Sequence, residues 1–313
     1  MTRPNFVTQN EVERTKLRVL LAQFQPKKGD YEANVRRVGD IFEQMAADGV
    51  QTDVLTLPET ALSGYFLEGG VREAARRQQV VFDDLQAEYL RRFGSDAPLL
   101  DITIGYYEEH RGAFYNSALY ATLGTSSNQA GWQPGIVHNH RKFFLPTYGV
   151  FDEERFVSRG RRVQAFDTRF GRMGMLICED AWHSITATIL ALQGAHVIFI
   201  GNASPARQFA GDEPSNLSRW RDLVRDISSE HNLFVVLTNL CGFEGGKGFI
   251  GGSIVTNPFG EVVLNAPVAR ECLVRTEINL EDMMIARSEN PLLADLETGL
   301  PDLIAELQNI ERS

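Results

Sequence analysis

The chain has 313 residues and a mass of 35.0 kDa, with 43% hydrophobic and 23% charged residues, as in a globular protein with a sizeable core. Its formal net charge is -10, and its one arginine-rich block is the short run SRGRR at residues 158–162. This balance argues against nucleic acid or an anionic membrane as a partner.

The cysteines are Cys178, Cys241 and Cys272, and no two of them form a CxxC pair. We therefore expect neither a disulfide framework nor a thiolate zinc site, and a reducing, cytoplasmic location fits best. Residues 1–16 are polar and lack an apolar signal core, and no apolar run approaches membrane-spanning length.

Strand-like and helix-like segments alternate along most of the chain, beginning with a buried strand at residues 17–24. Asp30 is placed to cap a helix that ends near Gly49. Further strands are predicted at residues 53–57, 101–107, 116–122, 173–177, 196–200 and 233–238, and further helices at 182–194 and 216–232. This alternation favours an α/β architecture in which helices cover sheet faces.

The C-terminal part changes pattern. Residues 251–267 predict a hairpin that turns at NPFG. The last segment, residues 291–313, is amphipathic and should pack on its own domain or on a partner subunit, with its apolar stripe formed by Leu300, Leu303, Ile304 and Leu307. We find no linker or repeat, and therefore expect one domain at residues 17–290, preceded by an extension at 1–16.

A cysteine hydrolase needs a thiol, a base and a positive or N–H-rich site for an oxyanion. Three segments could supply these groups, and each lies where a predicted strand ends. The first is LTLPETALSGYF, residues 55–66, in which Glu59 follows Pro58. Partial desolvation would raise the pKa of Glu59 and suit it to act as a general base. The alternative is an acid interacting with a helix N-terminus.

The second segment is HRKFFLPTYGVFDEERF, residues 140–156. Lys142 lies in its apolar part and could stabilise an oxyanion, although a surface lysine is the alternative. One of Glu153 and Glu154 could face the site and hold Lys142, the other being a solvated acid.

The third segment is GMLICEDAW, residues 174–182. If Cys178 lies at a strand-to-helix turn, free N–H groups there can lower the pKa of its thiol and donate to an oxyanion. Glu179 and Asp180 are then first-turn acids that point away from the sulfur. The alternative is a buried inert cysteine, which we expect for Cys241 and Cys272.

The three motifs, in this order, resemble those of the nitrilase superfamily of carbon–nitrogen hydrolases, which is built on a Glu–Lys–Cys triad. The resemblance runs from about residue 17 to about 267 and includes GNASP and FIGGSIVTNPFGEV. It implies that Glu59 is the general base, Lys142 the oxyanion stabiliser and Cys178 the nucleophile. It also implies a second glutamate, Glu153, and an oxyanion contact from the backbone N–H of Glu179.

The family resemblance also implies a fold: a four-layer α-β-β-α sandwich of the nitrilase type. Members usually pair across subunits, so a homodimer or larger homo-oligomer is expected. No metal or organic cofactor is implied, and His183, His196 and His231 are too scattered to suggest a metal site.

Within the superfamily, KFFLPTYGVFDEERF is most similar to the glutaminase domain of glutamine-dependent NAD synthetase. The implied reaction is hydrolysis of a small carboxamide, with glutamine favoured, through a thioester at Cys178 and with release of ammonia. The chain has no SGGxDS-type loop, so the ammonia would pass to a separate synthetase, or the protein would act alone.

The resemblance implies a substrate pocket formed by Tyr148, Glu179, Ser204 and Arg207. The run SPARQFAG, which contains Arg207, departs from the glutaminase pattern, although an amino-acid substrate would need such a cation. Two alternatives stay open: an amidase for another ω-amide or N-carbamoyl compound, and a non-catalytic scaffold that kept the fold.

Overall fold

The computed structural model describes residues 15–125, 131–206, 209–210 and 213–312. The helices are α1 (Tyr31–Asp48), α2 (Val71–Ala74), α3 (Gln78–Phe93), α4 (Ser184–Leu192), α5 (Ser215–His231), α6 (Asp282–Glu289) and α7 (Leu292–Arg312). Short 3-10 helices cover Glu68–Gly70, Glu153–Arg155 and Cys178–Trp182. The strands are β1 (Lys16–Gln23), β2 (Val54–Thr56), β3 (Leu100–His110), β4 (Ala113–Leu123), β5 (Gly135–Arg141), β6 (Phe166–Thr168), β7 (Gly171–Ile177), β8 (Val197–Asn202), β9 (Phe209–Ala210), β10 (Glu213–Pro214), β11 (Phe234–Asn239), β12 (Cys241–Glu244), β13 (Lys247–Ile250), β14 (Ile254–Thr256), β15 (Val262–Asn265) and β16 (Cys272–Asn279).

Two six-stranded sheets form the centre of the molecule, in the orders β16-β1-β2-β3-β4-β5 and β15-β14-β11-β8-β7-β6. Strand β1 shows how they pack. Leu17, Val19 and Leu21 join a core cluster shared with the second sheet, whereas Leu20 and Ala22 join a cluster with helices α1 and α3. Because side chains alternate along a strand, each sheet has one face on the other sheet and one face under helices. The expected four-layer α-β-β-α sandwich is confirmed.

The central strands of both sheets are parallel: β2 runs parallel to β1 and β3, and β8 runs parallel to β7 and β11. The Oγ1 atoms of Thr56 on β2 and Thr238 on β11 lie 2.6 Å apart, which joins the two sheets near the carboxyl ends of these strands. Loops that follow β2, β7 and β8 therefore meet at one edge of the sandwich, where active sites of such sheets usually lie.

Local signals account for several boundaries. Asp30 Oδ1 accepts a hydrogen bond from the N–H of Ala33 at 3.0 Å and caps α1, and Gly49 ends the helix at a φ of 64°. The predicted hairpin is confirmed as the antiparallel pair β14 and β15. Its turn is closed by Asn257 Oδ1, which accepts the N–H groups of Phe259 and Glu261.

Two elements differ from the sequence-based expectation. The helix predicted at residues 182–194 is observed as α4, Ser184–Leu192, and the acids after Cys178 lie in a separate 3-10 helix, Cys178–Trp182, that precedes it. The C-terminal helix α7 packs through Leu293, but Leu303, Ile304 and Leu307 are exposed. Leu300 is half-buried, and no described part of the chain covers the other three residues of the predicted stripe. No described helix has the length and hydropathy needed to cross a membrane.

Candidate active site

Three side chains that are far apart in the sequence meet at the edge where the parallel strands end. Glu59 lies in the turn after β2, Lys142 directly follows β5, and Cys178 directly follows β7. All three are buried, with 1%, 1% and 5% exposure. Lys142 Nζ donates a hydrogen bond to Glu59 Oε1 at 2.8 Å. The charges of Glu59 and Lys142 both act on the Cys178 thiol, so the structure brings together the residues that the three motifs predicted.

Both carboxylate oxygens of Glu59 have fixed partners. Oε1 also accepts a hydrogen bond from Asn116 Nδ2 at 2.8 Å, and Oε2 accepts one from the backbone N–H of Ala203 at 2.8 Å. Asn116 lies on β4, and Ala203 directly follows β8. Each sheet therefore supplies one donor, so Glu59 is oriented by both sheets at once.

Two glycines allow the backbone of this turn to approach its neighbouring strands. A Cβ atom on Gly105 of β3 would lie 2.6 Å from Glu59 Cα and 2.4 Å from the backbone nitrogen of Thr60. A Cβ atom on Gly201 of β8 would lie 3.0 Å from the backbone nitrogen of Glu59. Thr60 itself has a φ of 51°, a left-handed backbone conformation that residues other than glycine rarely adopt. The position of Glu59 thus depends on residues that carry no chemistry.

Lys142 bridges two acids. Its ammonium donates to Glu153 Oε1 at 2.5 Å as well as to Glu59, and it lies 5.7 Å from the ring centroid of Tyr65. Burial alone would lower the pKa of Lys142, but Glu153 and Glu59 raise it well above its usual value. The lysine is therefore charged throughout the neutral pH range.

Glu153 rather than Glu154 contacts Lys142. Glu153 is 7% exposed and begins a 3-10 helix, whereas Glu154 is exposed. The hydroxyl of Tyr65 donates to Glu153 Oε1, and Glu153 Oε2 is buried with no hydrogen-bond partner among the described residues. Burial raises the pKa of Glu153 to about 7, against the opposing effect of Lys142. This carboxyl is thus close to its titration point at neutral pH.

Cys178 has a φ of 43°, so the thiol is presented on a sharp turn between β7 and the 3-10 helix. Burial, followed by the charge of Glu59, raises the pKa of this thiol well above its usual value, and Lys142 opposes the shift. The expectation that the turn lowers the pKa is wrong, because desolvation and the charges of Glu59, Glu153 and Glu179 outweigh that of Lys142. A thiol in this setting needs a base at the moment of attack.

Asp180 has a different role from the one the sequence suggested. The acid is completely buried, and its Oδ1 accepts the N–H groups of Phe143 and Phe144, both at 2.9 Å. Its Oδ2 is hydrogen bonded to His140 Nε2 at 2.8 Å and to the N–H of Ile177 at 3.1 Å. The contact with Ile177 closes the first turn, as expected of a first-turn acid. The other three fasten the segment that carries Lys142 to the turn that carries Cys178.

The residues predicted for the substrate pocket are found in two places. Tyr148 donates its hydroxyl to Glu179 Oε2 at 2.8 Å, and Glu179 directly follows Cys178 in the chain. Ser204 is buried, and its Oγ accepts a hydrogen bond from Asn216 Nδ2 at 2.8 Å. Arg207 lies outside the described residues.

Four groups of the site were not identified from the sequence: the side chains of Asn116, Tyr65 and Asp180, and the N–H of Ala203. Tyr65 and Asp180 lie inside the quoted motifs, and this position was the one signal that could have identified them. Asn116 was placed in a predicted strand with nothing to mark it. Among the described residues, no group of three His, Cys, Asp or Glu side chains is arranged to hold a metal ion.

The family model described as carbon-nitrogen hydrolase matches residues 18–287. A glutamine-dependent NAD(+) synthetase from Thermotoga maritima is 26% identical over 269 residues, which are 85% of this chain and 43% of the synthetase. An (R)-stereoselective amidase from a Pseudomonas species is 29% identical over 283 residues, covering 89% of this chain and 91% of the amidase.

The fold has a close counterpart in the crystal structure of a carbon-nitrogen hydrolase from Helicobacter pylori G27. The TM-score is 0.76 at 21% identity, over 90% of this chain and 95% of that chain. The chain spans less than half the length of the Thermotoga synthetase but nearly all of the amidase and of the Helicobacter hydrolase. With a family model that matches most of its length, the chain belongs to the carbon–nitrogen hydrolase family.

Proposed function

We propose that the protein is an amidase that hydrolyses a small carboxamide through a thioester on Cys178 and releases ammonia. The observation that carries this proposal is the buried ion pair between Lys142 and Glu59, 2.8 Å apart, next to the thiol. Burying a lysine and two acids is costly for a fold, so a purely structural role explains this cluster poorly.

In the first half of the reaction, Glu59 takes the proton from the Cys178 thiol as the sulfur attacks the amide carbon. The attack breaks the carbonyl π bond and places a negative charge on its oxygen. Lys142, which stays protonated, stabilises this charge. The carbon–nitrogen bond then breaks, Glu59 returns the proton to the departing nitrogen, and ammonia leaves an acyl thioester.

In the second half, Glu59 takes a proton from water as the water oxygen attacks the thioester carbon. The carbon–sulfur bond breaks and the proton returns to sulfur, which restores the thiol and releases a carboxylic acid. The raised pKa of Cys178 fits this cycle, because the thiol is neutral between turnovers and is deprotonated only when a base acts on it.

Glutamine is the substrate we favour, since several relatives are named glutamine-dependent NAD(+) synthetases. An amidase for another ω-amide is the second candidate, supported by the match over nearly the full length of an (R)-stereoselective amidase. We further propose that the protein is a homodimer or larger, since α7 exposes Leu303, Ile304 and Leu307. A separate synthetase that accepts the ammonia stays part of the glutamine proposal.

The test is ammonia release from glutamine, asparagine and simple amides by the wild type and by Cys178→Ala. The matched control is Cys241→Ala, which removes another buried thiol outside the triad. We expect Cys178→Ala to abolish turnover on every amide that the wild type hydrolyses, and Cys241→Ala to retain it. Equal turnover by wild type and Cys178→Ala, or no ammonia from any amide, would reject the proposal.

A further inference from the structure

Glu59, Lys142, Glu153 and Cys178 are called the catalytic cluster below. Beside it lies a cavity of about 530 Å³ whose walls are mainly apolar. Phe66, Val71, Phe156 and Val157 contribute to these walls. Its volume suits a small organic molecule. Aliphatic carbons would be buried favourably against such a surface.

The cavity shares two residues with the site already described. Tyr65 and Glu153 line it, and they are hydrogen bonded to each other and, through Glu153, to Lys142. Glu153 Oε2 is buried, and no described group forms a hydrogen bond with it. A buried carboxylate oxygen without a partner is a group that a bound ligand or its water can satisfy. The cavity thus begins where the catalytic cluster ends.

Lys247 supplies a cation to this cavity. It lies at the start of β13, is half-buried, and its Nζ is 4.1 Å from the ring centroid of Phe66. No described acid comes within 4 Å of its ammonium. Arg155, the other cation of the lining, is 3.7 Å from Asp152. Lys247 is therefore available to a ligand, whereas Arg155 has an internal partner.

The hairpin that carries Lys247 is fixed relative to the triad. Glu244 Oε2, on β12, accepts the N–H groups of Tyr65 at 2.9 Å and Phe66 at 3.1 Å. The N–H of Ala206 donates to Gly248 O at 2.7 Å. The two segments that the hairpin contacts also contact the catalytic cluster. The Tyr65 hydroxyl donates to Glu153, and the N–H of Ala203, three residues before Ala206, donates to Glu59. The backbone that carries Lys247 is therefore held at a defined position relative to the catalytic groups.

We propose that this cavity is the subsite for the non-reacting end of the substrate, and that Lys247 binds a carboxylate there. The substrate class is a primary amide whose carbon chain ends in a carboxylate, as in glutamine or the monoamide of a dicarboxylic acid. The inference rests on the proposed amidase function and adds the residue that selects the substrate. A half-buried ammonium that contacts the Phe66 ring but pairs with no described acid can still gain from a ligand carboxylate, since the apolar walls reduce screening by water.

Alkylation of Cys178 tests the subsite without knowledge of the substrate. Two chloromethyl ketones of equal length serve as probes: 5-chloro-4-oxopentanoate, which is anionic, and 1-chloropentan-2-one, which is neutral. The variant is Lys247→Gln, and the control is Lys16→Gln, a surface lysine paired with Glu277. We expect Lys247→Gln to lower the ratio of anionic to neutral inactivation rates by about tenfold, with Lys16→Gln unchanged.

A rate ratio that is the same in wild type and Lys247→Gln would overturn the subsite while the amidase proposal stands. Failure of both reagents to label Cys178 in the wild type would overturn both proposals.

Steady-state kinetics gives a second, independent readout. Glutaramate and pentanamide have the same carbon chain, and only glutaramate ends in a carboxylate. We expect Lys247→Gln to raise KM for glutaramate and glutamine by about tenfold, with kcat preserved and kcat/KM for pentanamide unchanged. Equal losses on the charged and neutral amides would contradict the assignment, since they would indicate a structural effect of the substitution.

Discussion

Asp180 Oδ2 is hydrogen bonded to His140 Nε2 at 2.8 Å, and both residues are buried. This contact links the turn that carries Cys178 to the strand that leads into Lys142. The distance between thiol and ammonium therefore depends on a carboxylate that contacts neither. We infer that Asp180 is a positioning residue for the proposed reaction.

Asp180→Asn should lower kcat at least tenfold with little change in KM. The amide keeps the shape of the side chain, but its Nδ2 cannot accept the N–H of Ile177, and the segment with Lys142 is less firmly held. Asp180→Ala removes all four contacts and should lower the free energy of unfolding by at least about 3 kcal/mol. Kinetics and urea unfolding measure the two effects, with Asp167→Asn, an exposed acid on β6, as control. A change in KM alone would contradict the positioning role.

Lys142→Gln should abolish turnover and destabilise the fold. The substitution leaves Glu59 and Glu153 buried without their cation, and breaking buried ion pairs in this way costs about 3–5 kcal/mol. Ammonia release and urea unfolding check both effects, and Lys16→Gln is the surface control. Full activity of Lys142→Gln would show that the oxyanion role is wrong.

Glu153 should give the protein a pH-dependent stability. Its folded-state pKa of about 7 lies above the ordinary value of 4.5, so the folded protein retains a proton that the unfolded chain has lost. The contribution is complete below pH 4.5 and disappears as the pH rises through about 7. Relative to Glu153→Gln, the free energy of unfolding of the wild type should fall by at most roughly 3 kcal/mol as the pH rises over that window.

Urea unfolding at several pH values between 4 and 8 measures this difference. Glu154→Gln, at an exposed neighbouring position, should show no such trend relative to the wild type. A constant difference between wild type and Glu153→Gln across the window would be incompatible with the raised pKa.

Gly105→Ala should disturb the site although residue 105 carries no functional group. The new methyl group would lie 2.6 Å from both Pro58 O and Glu59 Cα, so the turn that carries Glu59 must shift. Overpacking of this kind costs about 1–3 kcal/mol. The control is Gly135→Ala on β5, where no atom lies within 4 Å of the added group. Kinetics and thermal unfolding should show losses in Gly105→Ala only, and equal behaviour of the two variants would disprove the steric argument.

Much of the fold could be predicted because the central strands are buried and continuous in hydrophobicity. Strands β7, β8 and β11 were all predicted within a few residues of their observed bounds. Strand β5 and helix α3 were missed. The sequence GIVHNHR of β5 is only half-buried and polar, as suits an edge strand, and the apolar residues of α3 are interrupted by charged ones.

The candidate site could be predicted as a set of residues but not as a network. The order of the motifs predicted that Glu59, Lys142, Cys178 and Glu153 belong to one site. The partners of their charges, Asn116 and the N–H of Ala203, come from other strands, and their contacts exist only once both sheets are packed. The direction in which the pKa of the Cys178 thiol shifts could not be predicted from the sequence either, because it depends on the depth of burial.

The covalent intermediate is the most direct test of the mechanism. Wild-type protein is mixed with an amide that it hydrolyses, and the reaction is quenched in acid during turnover. The protein is then digested and analysed by mass spectrometry. We predict an acyl group on the peptide that contains Cys178, removed by hydroxylamine and absent from Cys178→Ala. Continued ammonia release by Cys178→Ala, with no acyl group on that peptide in the wild type, would contradict the mechanism.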